Sequence, residues 1–242
     1  MSKPPIWVIA HRGASGQLPE NTLVAVHRAL ELGADAIECD VHLSADGIPI
    51  VFHDEETERM TGARGSIGGR KLEQIRSLSV RDLGPGSIPT LEEWLAAVPA
   101  PTGIVIEIKT DRQDYEGIEE AVYRVVEAKG ALERSTFISF NLRTLDRIRL
   151  LSSEIRIGPV LEGRPEPTAW SRYQALKPST IVFEGRSMNA ADIAEAKSRG
   201  WEAWAYTLNS EERIQEGAHL GLTGIISNFP ERVFGVLGVE PS

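Results

Sequence analysis

The chain alternates short apolar runs with longer stretches in which apolar residues recur every three or four positions. Ile6-Trp7-Val8-Ile9-Ala10 is a compact apolar run that stops at His11 and reads as a buried strand. Similar runs recur at 36–41, 104–108, 136–140, 155–160, 180–183, 202–206 and 224–227. Helical patterns lie between them. Leu23, Val26 and Leu30 follow the cap signal Asn21-Thr22, and Gly33 supplies a stop. Residues 190–199 are framed by Asn189 as cap and Gly200 as stop, and two more helices follow Asn209 and Pro230. Strands separated by helices predict a parallel sheet. Eight such units predict closure into a (β/α)8 TIM barrel, an α/β fold.

The stretch between Val41 and Ile104 is too long for a single helix. Asp46-Gly47 is a two-residue hairpin signal between Val41-His42-Leu43 and Ile48-Pro49-Ile50-Val51-Phe52. A hairpin here rises above the barrel and returns His53 to the level of Glu38–Asp40. Residues 54–88, rich in glycine and charge, read as an excursion over the barrel mouth. Thr90 then caps a helix through Leu95. The expected organisation is one domain over residues 1–242 with an insertion at roughly 42–88.

Charge and composition narrow the function. With 26 basic and 35 acidic side chains the net charge is −9. That argues against a nucleic-acid partner, which needs a basic surface, but leaves room for a small phosphorylated substrate held by a few local cations. Cys39 is the only cysteine, so no intrachain disulfide forms. Met1-Ser2-Lys3-Pro4-Pro5 lacks the apolar stretch of a signal peptide. No apolar run reaches the length of about 20 residues needed to span a bilayer. A cytoplasmic protein with no membrane span is expected.

The candidate chemistry gathers at strand ends. Residues two apart on a strand share a face, so Glu38 and Asp40 point together while Cys39 points to the helices as a small buried hydrophobe. Ionised carboxylates side by side in an apolar strand repel each other, and a cation relieves them. Glu107 arrives from the next barrel strand. Three carboxylates without a thiolate favour a hard ion, Mg²⁺ or Ca²⁺. His11 and His53 beside them are candidates for general acid and base. Arg12 and Lys109 either neutralise the carboxylates or offer charge to a phosphate. His42 is expected at the rim, His27 within the first helix and His219 at a late helix end, none with a catalytic role.

These motifs together resemble the glycerophosphodiester phosphodiesterase family over nearly the whole chain. The resemblance rests on His11-Arg12-Gly13 with Pro19-Glu20-Asn21-Thr22, on the segment from Gly33 through Glu38-Cys39-Asp40-Val41, and on Asp46-Gly47 through His53-Asp54. It continues through Arg59-Met60-Thr61-Gly62, Ile88-Pro89-Thr90-Leu91, Glu107-Ile108-Lys109, Tyr206-Thr207-Leu208-Asn209 and Gly224-Ile225-Ile226-Ser227-Asn228-Phe229-Pro230. It implies a metal-dependent enzyme on a TIM barrel, cleaving glycerophosphodiesters to sn-glycerol 3-phosphate and an alcohol. His11 and His53 would be the acid/base pair, Glu38, Asp40 and Glu107 the ligands of one Mg²⁺ or Ca²⁺, and Arg12 and Lys109 the phosphate contacts. The alternatives are a lysophospholipase D with a longer leaving group, drawing on Trp170, Trp201 or Trp204 as apolar lining, and a metal-dependent sugar-phosphate isomerase. The chain departs from the family at Tyr206, where tryptophan is frequent, and at Thr223 and Asn228, where aspartates are usual. These positions, remote in sequence from the carboxylates, are expected to shape the mouth or the barrel end.

Overall fold

A computed structural model describes residues 6–110, 113 and 115–240; the reading of Met1–Pro5 falls outside them. The strands and helices run in chain order as β1 (Trp7–Ala10), α1 (Leu23–Glu31), β2 (Ala36–Leu43), β3 (Pro49–Val51), α2 (Glu58–Thr61), α3 (Leu72–Arg76), α4 (Leu91–Ala97), β4 (Gly103–Ile108) and α5 (Ile118–Ala128). They continue as β5 (Ser135–Ser139), α6 (Leu142–Leu151), β6 (Arg156–Pro159), α7 (Ala169–Leu176), β7 (Thr180–Glu184), α8 (Ala190–Ser198), β8 (Glu202–Tyr206), α9 (Glu211–Leu220), β9 (Gly224–Ser227) and α10 (Pro230–Leu237).

Eight strands run parallel in the order β6-β5-β4-β2-β1-β9-β8-β7. The two ends meet through the bridge between Val160 and Val182, with the Leu161 N–H donating to the Val182 carbonyl at 2.9 Å. The sheet is thus a nearly closed barrel, as the strand-helix alternation predicts. Ile9, Val105, Ile138, Val182, Trp204 and Ile226 pack inside it. Ile37, Cys39 and Val41 face the other way and join the layer between barrel and helices. Their neighbours Glu38 and Asp40 therefore point inward, although buried carboxylates interrupt an apolar interior. Among the described residues no helix is long and apolar enough to cross a membrane.

The hairpin forms as expected. β3 pairs antiparallel with β2, Val41 opposite Val51, and Gly47 takes the left-handed conformation, φ 78°, that the turn requires. The Phe52 N–H donates to the Asp40 carbonyl at 3.0 Å, which sets His53 beside the carboxylates. The segment beyond has its own apolar cluster of Ile50, Phe52, Met60, Ile67, Ile75, Val80 and Ile88. The chain re-enters the barrel at Thr90. Its hydroxyl accepts from the Glu93 N–H at 3.2 Å, and the Glu93 carboxylate accepts from the Thr90 N–H at 2.9 Å. Such a reciprocal cap stabilises a short helix. Thr90→Ala is expected to lower unfolding stability by about 1 kcal/mol in denaturant titration, with the activity of the folded enzyme unchanged.

Candidate active site

The site sits at the carboxyl ends of the barrel strands, where this architecture places its chemistry. β2 carries Glu38 and Asp40. β4 pairs with β2 so that Asp40 lies opposite Glu107. All three carboxylates are buried, and each offers an oxygen within 4.8 Å of the others. Two of their oxygens, Glu38 Oε1 and Asp40 Oδ1, are buried without a hydrogen bond. Burial and then the neighbouring Asp40 charge push the Glu38 carboxyl well above its usual range. Burial pushes Glu107 up to about 7 against the pull of Lys109. Burial alone would raise Asp40 too, but the Arg12 and Lys109 cations hold it below the carboxylate range. A carboxylate set that protein groups leave partly unsatisfied, made of hard oxygens only, fits a divalent cation.

Arg12 and Lys109 are at this site, engaged with carboxylates. Arg12 Nε lies 3.0 Å from Asp40 Oδ2, and Lys109 Nζ 2.6 Å from Glu107 Oε1 and 3.6 Å from Asp40 Oδ1. The Arg12 backbone, in the left-handed region at φ 57°, turns its N–H to Glu38 Oε2 at 2.9 Å. Gly13 continues that turn at φ 79°, and a Cβ there would lie 2.6 Å from the Ala25 backbone. Only glycine fits where the chain both takes a positive φ and presses on α1.

Each candidate histidine is oriented by its own partner. His11 lies at the end of β1, its backbone N–H on the Ser227 carbonyl of β9. Its Nδ1 donates to Asn228 Oδ1 at 2.7 Å, and its Nε2 faces Glu38 at 4.0 Å. Burial, reinforced by Arg12, lowers His11 to about 4, so it is neutral near pH 7. His53 Nδ1 donates to Asp54 Oδ1 at 2.7 Å. Asp54 also accepts from Arg59, which reaches Glu20 at 2.6 Å, and Glu20 in turn holds Arg12 Nη1 at 3.0 Å. A continuous ion-pair chain therefore links the two histidine segments across the mouth.

Several participants are not evident from the sequence. Asn21 is buried and donates to Asp40 Oδ2 at 2.9 Å. Asn228, expected to shape the mouth or barrel end, instead holds His11, because β9 closes against β1. Thr223 stays at the far end, bonded to Ala203. His42, expected at the rim, is buried and borders the mouth cavity beside His53. His27 and His219 are exposed on their helices, away from the site. The tryptophans on which the lysophospholipase D alternative would draw are core residues. Trp170 stacks on Trp201 and Trp204 on Trp7. The rings at the mouth are Phe140 and Tyr206, edge to face at 6.0 Å. They share an open cavity of about 1040 Å³ with His53, Lys109, Glu55, Glu162 and Glu184.

The model of the glycerophosphoryl diester phosphodiesterase family matches residues 11–232. The chain belongs to that family. A glycerophosphodiester phosphodiesterase of Caldanaerobacter subterraneus is 32% identical over 95% of this chain and 97% of its own length. Among solved structures, an Oleispira antarctica phosphodiesterase in complex with the product sn-glycerol-3-phosphate superposes with a TM-score of 0.86 at 29% identity. It covers 97% of both chains. A glycerophosphodiester phosphodiesterase of Agrobacterium tumefaciens gives 0.81 at 26% identity, covering 95% of this chain and 99% of its own. The expected class therefore stands: this family member is an enzyme, a phosphoric diester hydrolase of glycerophosphodiesters on a TIM barrel. Family and carboxylate triad together suggest a divalent cation.

Proposed function

We propose that this enzyme cleaves a glycerophosphodiester to sn-glycerol 3-phosphate and an alcohol, with His11 as base and His53 as acid. The observation that carries this reading is the convergence of two separately oriented histidines on one buried carboxylate triad. Glu38, Asp40 and Glu107 would hold the cation, Mg²⁺ or Ca²⁺, which supplies Lewis acidity to the phosphate. Arg12 and Lys109 bind phosphate oxygens and stabilise the charge that builds on them. A single domain with its insertion at 42–88 carries all these groups. A cytoplasmic location belongs to the same reading, and cell fractionation reads it.

The tautomers support the direction of proton transfer. His11 Nδ1–H is committed to Asn228, which leaves the Nε2 lone pair facing the site. His53 Nδ1–H is committed to the Asp54 carboxylate, which makes Nε2 the nitrogen that hands over a proton. His11 Nε2 takes the proton of the glycerol 2-hydroxyl, and that oxygen attacks phosphorus. The phosphorus–oxygen bond to the alcohol breaks as His53 Nε2 protonates the departing oxygen. The resulting cyclic phosphate opens by the reverse exchange. Neutral His53 takes a proton from water, the hydroxide bonds to phosphorus, and protonated His11 returns its proton to the glycerol oxygen. Both histidines end as they began.

The mouth bears on the alcohol. Its lining holds the Phe140 and Tyr206 rings and more carboxylates, Glu55, Glu162 and Glu184 among them, than cations, Arg59 and Lys109. Rings and carboxylates suit an ammonium group, and the described lining is mostly polar rather than an apolar track for an acyl chain. Turnover of glycerophosphocholine and glycerophosphoethanolamine is expected to exceed that of glycerophosphoglycerol and of a lysophospholipid, about tenfold or more in kcat/KM. A panel of these diesters assayed with each metal tests both points. Cleavage of none of them would sink the reaction, and equal rates on all would sink the alcohol preference alone.

A further inference from the structure

His42 is a titratable side chain that the reaction above leaves unused. It lies two residues past Asp40 on β2, so it shares the inward face of Glu38 and Asp40. Only 4% of it is exposed. Its Nε2 lies 3.0 Å from the His53 carbonyl oxygen, and its Nδ1 lies 2.9 Å from the Tyr115 hydroxyl. The Tyr115 ring meets the imidazole edge-on at 5.7 Å. A carbonyl can only accept, so Nε2 carries a proton and Nδ1 of the neutral ring accepts from the Tyr115 hydroxyl. Both arms of the hairpin and a distant segment thus converge on one imidazole: β2, the exit from β3, and the chain entering α5.

The position of that bond gives it meaning. β3 ends at Val51, and Phe52 makes the bond to the Asp40 carbonyl that ends the pairing with β2. His53 is the next residue, where the chain leaves the sheet for the insertion. Its ring is tied at one end to Asp54. Its main chain is tied by His42.

We propose that His42, itself oriented by Tyr115, is a positioning residue for His53. It fixes the peptide that carries the proton donor and thereby aims His53 Nε2 at the leaving oxygen. The inference rests on the catalytic role given to His53 above. Leucine fills the volume of His42 without its N–H, leaving the His53 carbonyl without this donor. A displaced catalytic group loses rate steeply, about 10²-fold for 1 Å.

The test is a mutant cycle on glycerophosphocholine with saturating Mg²⁺. His42→Leu is expected to lower kcat about 10- to 100-fold, with KM and calorimetric Mg²⁺ affinity unchanged. His42→Gln returns an N–H near the position of Nε2 and is expected to recover most of the loss. Tyr115→Phe, which keeps the ring and removes only the hydroxyl, is expected to lower kcat in the same direction and by less. In a His53→Ala background none of these substitutions is expected to lower the residual rate further. An equal loss with and without His53 would overturn the inference while leaving the reaction standing. So would a rise in KM at unchanged kcat, as for a direct substrate contact. A wild-type enzyme inactive on every glycerophosphodiester would overturn both. Should His42→Leu fail to fold, Tyr115→Phe and His42→Gln carry the same cycle.

Discussion

Excess EDTA is expected to stop hydrolysis of glycerophosphocholine, and Mg²⁺ or Ca²⁺ added back to restore it. Glu107→Ala should do permanently what the chelator does reversibly. The loss expected is about 10³-fold or more, since removing even one preorganised donor from a developing anion typically costs 10²- to 10³-fold. The protein should remain folded throughout. Glu107 is buried, burial pushes its carboxyl up to about 7, and its main partner is Lys109. Replacing such a group relieves its desolvation, and the Lys109 charge it leaves behind keeps Asp40 as a partner at 3.6 Å. Far-ultraviolet circular dichroism and thermal unfolding would therefore change little while turnover disappears. Full activity after complete metal removal would sink the role given to Glu38, Asp40 and Glu107.

Loss of either histidine is expected to lower kcat by about 10²- to 10⁴-fold on a choline ester. The two variants should part company when the leaving group changes. Replacing choline with p-nitrophenol supplies an alcohol that departs without protonation. In the first turnover, read as a burst of p-nitrophenol, the His53→Ala defect should shrink to less than about tenfold because the acid is no longer needed. The His11→Ala defect should persist because the nucleophile still has to lose its proton. Equal defects on both esters would reverse or abolish the assignment drawn from the Asn228 and Asp54 hydrogen bonds. Near-normal turnover in either variant would remove that histidine from the reaction.

Much of this site is legible in the chain because short-range periodicity generates it. The period of two on β2 puts Glu38 and Asp40 inward and Cys39 outward, and the Asp46-Gly47 turn returns His53 beside them. What is not legible depends on contacts that no local pattern encodes. The His11–Asn228 bond joins residues 217 apart and exists because β9 closes the barrel onto β1. His42 reads as a rim residue from its place near a hairpin tip, yet it is buried between the His53 carbonyl and Tyr115. Trp170, Trp201 and Trp204 are large, apolar and plausible in a mouth. Only the packing of helices on the barrel and the filling of its interior show that they belong to the core. Asn21 reads as part of a helix cap and Glu20 only as part of the family signature, while their side chains serve Asp40, Arg12 and Arg59.

The alternating charges that run from Arg12 through Glu20 and Arg59 to Asp54 bear on how two distant segments are held together. The proposed base and acid, His11 and His53, sit on bodies with separate apolar cores, one in the barrel and one in the insertion, yet this ionic crossbar and the His42 bond join those bodies across the mouth. A diester would meet two imidazoles already oriented by Asn228 and Asp54, so the pairing of the two side chains is built into the resting fold.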